Sequence, residues 1–170
     1  QGKTVSLVGL ADKVIGMIAI QDAPKPTSKQ ALELLQAQGL KTVMLTGDNE
    51  PAAQAIAKEV GIDEVIAGVL PQEKANYIEQ EQKQGKTAFV GDGINDAPVL
   101  AGADVGAAMG SGADAAIEAA DVVFMTSSMG AIPRSIHIAR SASKIAWQNV
   151  VFALTIKIIV MLLGLLGYAN

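Results

Sequence analysis

The sequence predicts an α/β fold, a doubly wound parallel sheet preceded by a β-hairpin and followed by a long apolar helix. Three observations predict it. Short apolar runs alternate with amphipathic stretches between residues 27 and 125, the signature of repeated β-α units. Polar turns follow two of those runs, Thr46-Gly47-Asp48-Asn49 and Gly91-Asp92-Gly93, where the carboxyl ends of buried strands are expected. Residues 150–168 then form nineteen positions with Lys157 as their only charge.

Composition narrows the function classes. A chain of 170 residues, half of them hydrophobic, suits one compact domain plus an appendage. The net charge of −4 and the lack of a basic cluster exclude a nucleic-acid binder. With no cysteine there is neither a disulfide framework nor a thiolate metal site. Gln1-Gly2-Lys3-Thr4 is neither a signal peptide nor a natural start, so the chain reads as a piece of something longer. The positive mean hydropathy, +0.33, is concentrated at the C-terminus.

Taken in order, residues 4–10 and 14–20 are β-rich runs around Ala11-Asp12-Lys13, a hairpin pattern. Asp22-Ala23-Pro24-Lys25-Pro26 breaks it, because two prolines disfavour strand and helix alike; a hinge or domain boundary is expected there. A helix capped by Thr27 or Ser28 runs to Gly39, and a strand follows at 41–45. Pro51 suits the first turn of a helix that ends at Gly61. Residues 64–69 read as a strand, 71–84 as a polar helix from Pro71, and 87–91 as the strand into Asp92. A short helix at 98–101, a buried strand at 104–109, a helix at 113–119 and a strand at 122–125 complete the pattern. Residues 131–148 form a helix on which Arg134, His137, Arg140 and Lys144 share much of one face. Residues 150–168 would rise roughly 28 Å as a helix, about the thickness of a bilayer's hydrocarbon core. The preceding basic helix then lies on the cytoplasmic side.

Three groups sit at expected strand ends. Thr46-Gly47-Asp48-Asn49 offers a hydroxyl and backbone N–H groups suited to a phosphoryl oxygen. Lys74, near the start of a helix, offers a cation. Asp92 and Asp96 are hard oxygen ligands of the kind Mg²⁺ prefers. Together they describe an electrostatic clamp for phosphoryl transfer. Each also has a plainer reading: Asp48 or Asn49 as the cap of the next helix, Lys74 as a solvated lysine, Asp96 as a helix cap.

Thr46-Gly47-Asp48-Asn49, then Pro71-x-x-Lys74, then Gly91-Asp92-Gly93-x-Asn95-Asp96-Ala97-Pro98 resembles the phosphorylation domain of P-type cation-transporting ATPases, within the haloacid-dehalogenase-like superfamily. Met109-Gly110-Ser111-Gly112-Ala113-Asp114 and Asp22-Ala23-Pro24-Lys25-Pro26 are similar to two further family segments. The resemblance covers essentially the whole chain. It implies that residues 1–21 end a nucleotide-binding domain, 22–130 are the later part of the phosphorylation domain, 131–149 a cytoplasmic stalk helix and 150–168 a transmembrane helix. It implies Asp92 and Asp96 as Mg²⁺ ligands, with Asn95 orienting them. Thr46, Gly47 and Lys74 would hold the phosphoryl group of ATP, and Asp48 would support the loop.

The family's phosphorylated aspartate lies in an Asp-Lys-Thr-Gly-Thr segment that these residues do not contain; Asp12-Lys13-Val14-Ile15-Gly16 matches only superficially. The nucleophile is therefore expected upstream of Gln1. The chain alone is expected not to form the aspartyl-phosphate, and Asp92 to hold Mg²⁺ only weakly.

Lys157 stands about 11 Å or more from either end of the apolar stretch, where an unpaired cation is costly. Residues 149–157 resemble the seventh membrane helix of zinc/cadmium/lead pumps, in which such a lysine is a built-in countercharge; the Tyr-Asn pair of copper pumps is absent. A lysine paired with a lipid headgroup or a neighbouring helix is the plainer reading. The expectation is a segment of an ATP-driven heavy-metal exporter, multi-pass in the plasma membrane with residues 1–149 cytoplasmic. Its partners are then the metal cation, the bilayer and the rest of the pump. A soluble phosphatase of the same superfamily and a non-catalytic copy are the rival readings.

Overall fold

The computed structural model describes residues 4–10, 13–20, 23–110 and 113–166. It divides into two compact units, Gln1–Ala131 and Ile132–Asn170. Asp12, Asp22, Ser111 and Gly112, each part of a segment discussed above, lie outside the described residues.

The first unit begins with an antiparallel hairpin, β1 (Thr4–Leu10) and β2 (Lys13–Ile20). The register shifts between Val8 and Gly9, a bulge that twists the ribbon. Leu7, Leu10, Ile15 and Met17 are all exposed, since two strands alone have nothing to bury their faces against.

Alternating elements follow: α1 (Ser28–Ala37), β3 (Val43–Leu45), α2 (Glu50–Val60), β4 (Glu64–Ile66), α3 (Lys74–Gln82), β5 (Ala88–Gly91), a 3₁₀ turn (Ile94–Asp96), α4 (Ala97–Gly102), β6 (Val105–Met109), α5 (Asp114–Ala119) and β7 (Val122–Phe124). The α/β class and parallel pairing agree with the sequence. One difference concerns continuity: β3–β4 and β5–β6–β7 are two separately hydrogen-bonded parallel groups, not one sheet. Within the described residues, β3 and β5 each pair on one edge.

A second difference is where α3 starts. Residues 71–73 are a turn and the helix opens at Lys74, because Glu73 is used twice on Leu70: its carboxylate accepts from the Leu70 N–H at 3.1 Å, and its own N–H donates to the Leu70 carbonyl at 2.9 Å.

The core is built from small residues. Leu100, Ala108 and Ala116 are fully buried, with Phe89, Ile117 and Val123 packed against them. β6 is the middle strand of its group and reads Val-Gly-Ala-Ala-Met, so α4 comes very close. A Cβ added at Gly106 would strike the carbonyl of Leu100. Glycine is required there by proximity.

An aspartate immediately precedes each of β4, β6 and β7 and closes the amino end of the neighbouring strand. Asp63 accepts from the Thr42 N–H and hydroxyl, both at 2.7 Å, and from Gln36 at 3.1 Å. Asp104 accepts from the Thr87 N–H at 3.0 Å and pairs with Lys86. Asp121 accepts from the Gly106 N–H at 2.8 Å. These bonds satisfy backbone donors that the parallel ladder has not yet engaged.

The second unit is a single helix. α6 (Ala131–Leu165) runs unbroken for 35 residues, about 52 Å. The division expected at Asn149, between a stalk helix and a membrane helix, is thus not a break in secondary structure: Asn149 lies in the helix interior with no glycine or proline beside it. Residues 167 and 168 of the expected span lie outside the described residues. Among the described residues α6 alone is long and apolar enough to cross a membrane, and 0% of its most apolar stretch is buried. The helix satisfies its own hydroxyls, Thr155 donating to the Val151 carbonyl at 2.8 Å and Ser141 to that of His137 at 2.9 Å.

The Thr42 backbone N–H, then the Thr42 hydroxyl, hold the Asp63 carboxyl below its ordinary value of 3.8. This contribution is fully present above about pH 4 and is lost as pH falls through the lowered folded-state value. Asp63→Asn should cost about 1 kcal/mol at neutral pH, discounted because the carboxylate is exposed, and less in acid. Urea titrations of both proteins in detergent should therefore converge below pH 4; a constant gap would contradict the assignment.

Candidate functional site

The first part of the site is the turn after β3. The Thr46 N–H donates to the Ile66 carbonyl at 3.0 Å, extending the β3–β4 ladder by one step, and its carbonyl accepts from the Val69 N–H at 3.0 Å. The Thr46 hydroxyl donates to Asp48 Oδ2 at 2.8 Å and accepts from the Asp48 N–H at 3.1 Å. The Gly68 N–H donates to the Asp48 carbonyl at 2.8 Å. Gly47 and Asp48 are exposed and Thr46 is half-buried. Asn49 is the helix cap, its Oδ1 accepting from the Ala52 N–H at 3.0 Å. Of the two candidates for that cap, Asn49 takes it, and the Asp48 side chain stays on Thr46.

The second part is the turn after β5. Lys74 Nζ lies 2.8 Å from Asp96 Oδ1, in an ion pair whose side chains are only 18% and 13% exposed. Lys74 is thus not a solvated surface lysine. The other carboxylate oxygen of Asp96 faces the Gly93 N–H at 3.4 Å. Gly91 makes this approach possible: a Cβ there would lie 3.0 Å from the Asp96 carboxylate and 2.9 Å from the Phe89 ring. Asp92 follows β5 directly; its side chain is exposed and its carbonyl accepts from the Ala113 N–H at 3.0 Å. Asn95 is exposed in the 3₁₀ turn.

The two parts are connected step by step. The Thr46 turn is bonded to residues 66–69, Glu73 fixes the turn at residues 70–73, and Lys74 then reaches Asp96. Lys157 belongs to α6 in the other unit. No group of three His, Cys, Asp or Glu side chains able to hold a metal is found among the described residues. Mg²⁺ commonly takes one or two protein carboxylates and completes its shell with water and phosphate oxygens. Asp92 and Asp96, hard oxygens beside a turn that glycines keep open, fit that donor set as a partial site.

Asp63, Asp104, Asp121 and Glu73 were not singled out by the sequence, though each performs a definite task. For the aspartates the recoverable signal is an acid immediately before an apolar strand, repeated three times.

Parallel strands alternating with helices, with polar and charged turns at their carboxyl ends, define an α/β domain. Residues 1–104 match the family model described as haloacid dehalogenase-like hydrolase, and residues 73–136 match a second model of that description. The chain belongs to the haloacid dehalogenase-like hydrolase family and corresponds to a segment of the heavy-metal P-type ATPases. It is 49% identical over 154 residues to a copper-exporting P-type ATPase of Staphylococcus haemolyticus, covering 90% of this chain and 19% of that protein. It is 50% identical over 160 residues to a zinc-transporting ATPase of Synechocystis sp., covering 91% of this chain and 22% of that protein. A crystal structure of a zinc-transporting PIB-type ATPase in its E2·Pi state superposes with a TM-score of 0.90 at 41% identity, covering 99% of this chain and 28% of that one. The chain thus spans about a fifth of the relatives and about a quarter of the solved structure.

Removing either partner of the Lys74–Asp96 pair should leave a mostly buried charge uncompensated. Lys74→Met and Asp96→Asn should each cost roughly 1–3 kcal/mol, and the double variant clearly less than their sum. A double-mutant cycle by chemical denaturation reads the coupling; additive losses would show that the two charges do not interact.

Proposed function

We propose that this chain is part of an ATP-driven exporter of a heavy-metal cation, Zn²⁺, Cd²⁺ or Pb²⁺, that works through an aspartyl-phosphate. The observation that carries the phosphoryl-transfer part is the Lys74–Asp96 pair at the end of β5, linked through residues 66–73 to the Thr46 turn at the end of β3. The Gly47 N–H donates to one phosphoryl oxygen, the Thr46 hydroxyl turns its proton from Asp48 to another, and the Lys74 ammonium offsets their charge. Asp96 holds that ammonium in position, Asp48 orients the Thr46 hydroxyl, and Asn95 orients the turn that carries Asp92. Mg²⁺ held by Asp92 and Asp96 would supply further charge neutralisation at the phosphoryl group.

The nucleophile belongs to the part of the protein outside these 170 residues. The separate groups β3–β4 and β5–β6–β7 support this. Each leaves a strand edge unpaired among the described residues, and an added strand would satisfy both. The whole protein is read as multi-pass in the plasma membrane, with residues 1–149 cytoplasmic, α6 in the bilayer from residue 150 onward, and the upstream part of the same pump as its partner.

The choice of zinc, cadmium or lead rests on Lys157. A cation in the middle of an apolar helix is a functional group by default, and a fixed countercharge suits export of a divalent ion. A copper exporter is the second reading, favoured by the Staphylococcus relative.

The phosphoryl-transfer reading is tested with radiolabelled ATP and Mg²⁺. The full-length protein should take up acid-stable, hydroxylamine-labile phosphate, and Lys74→Ala should slow this about 10²–10³-fold. The 170-residue chain alone should take up none; stoichiometric labelling of it would refute the external nucleophile. For the ion, Lys157→Ala in the full-length protein should abolish Zn²⁺-stimulated hydrolysis. Unchanged stimulation and selectivity would favour copper.

A further inference from the structure

Beyond Asp121 the chain has no acidic residue, and its charges are Arg134, Arg140, Lys144 and Lys157. Along α6, Lys144, Trp147, Gln148, Val151, Phe152 and Thr155 line a shallow, largely open groove on one helix face. Their spacing of three and four residues stacks them along that face. Trp147 is 69% exposed, Phe152 68% and Val151 54%. Arg140 falls one turn before Lys144 on the same side of the helix.

The groove has a direction. A cation stands at one end, an indole next to it, and apolar side chains beyond. From Lys144 to Thr155 the helix rises about 16 Å, from the headgroup level into the hydrocarbon of one leaflet. Lysine and tryptophan are suited to the headgroup level, and valine and phenylalanine to the acyl chains below it.

We propose that this face of α6 is a binding site for an anionic phospholipid. Its phosphate is met by Lys144, with Arg140 adding to the field, and an acyl chain lies along Trp147, Val151 and Phe152. The occupant follows from charge complementarity, because the groove is cationic at the headgroup end and apolar along one leaflet. The proposal rests on the reading of α6 as a membrane span.

Trp147 is the chain's single tryptophan and reports on this face directly. The chain is reconstituted in vesicles of phosphatidylcholine with a minor fraction of phosphatidylglycerol, acyl chains brominated near the headgroup in one lipid or the other. At equal mole fraction of brominated lipid, the anionic lipid should quench Trp147 more strongly, corresponding to an about fivefold local enrichment. Lys144→Gln should bring the two lipids close to parity while the helix stays inserted. Equal quenching in the unaltered chain, or a preference that survives Lys144→Gln, would overturn the site. Quenching by neither lipid with Trp147 open to iodide would show that α6 is not in the bilayer, which refutes the membrane reading itself. Quenching by neither with Trp147 shielded from iodide would mean that protein covers the face, and would overturn only the lipid.

Discussion

The ion pair between Lys74 and Asp96 is the interaction that ties the start of α3 to the turn after β5. Lys74 is the first residue of α3, where the helix dipole disfavours a cation, and the first turn contains no acid to offset it. Asp96, 2.8 Å away, supplies the missing negative charge from a different part of the chain. A lysine that local rules place badly is thus held by one long-range contact. Breaches of this kind concentrate where function requires a particular charge. The same contact ties the β5 turn to the first residue of α3.

The two ends of the parallel strands are treated in opposite ways. At the amino ends, Asp63, Asp104 and Asp121 close unpaired backbone donors, and the acids there are spent on structure. At the carboxyl ends, Asp48, Asp92 and Asn95 are exposed. Between them the core is thin: with Ala108 and Ala116 in its centre and Gly106 under Leu100, helices sit almost on the strand backbone. Close packing of this sort tolerates little added volume and keeps the strand ends at fixed spacing.

Much of this was legible in the residues alone, and the rest had a physical reason to be hidden. Element type was readable because apolar runs and capping residues are local signals; Asn49, Pro51 and Gly61 frame α2 almost as their chemistry dictates. That Thr46 and Asp92 follow strands directly was readable in the sequence, and they stand after β3 and β5. What it did not contain was the partner of Lys74, since attraction over 22 residues leaves no periodic trace. The late start of α3 depended on Glu73 turning back to Leu70, a competition between side chain and helix that propensity alone does not decide. The aspartates before β4, β6 and β7 act on the neighbouring strand, a contact that their own local sequence does not encode. The apparent joint at Asn149 reflected a change in polarity, and backbone geometry is indifferent to such a change.

That continuity gives α6 the mechanics of a shaft. Its proline, Pro133, lies in the first turn, where it does not break hydrogen bonding, and its glycine, Gly164, is almost at the far end. Along the stretch between them no proline or glycine interrupts the helix. A twist or axial push applied near Ser135 therefore arrives at Lys157 nearly undiminished, about 33 Å away along the axis. The backbone that carries Lys157 is therefore displaced when the helix as a whole turns or slides.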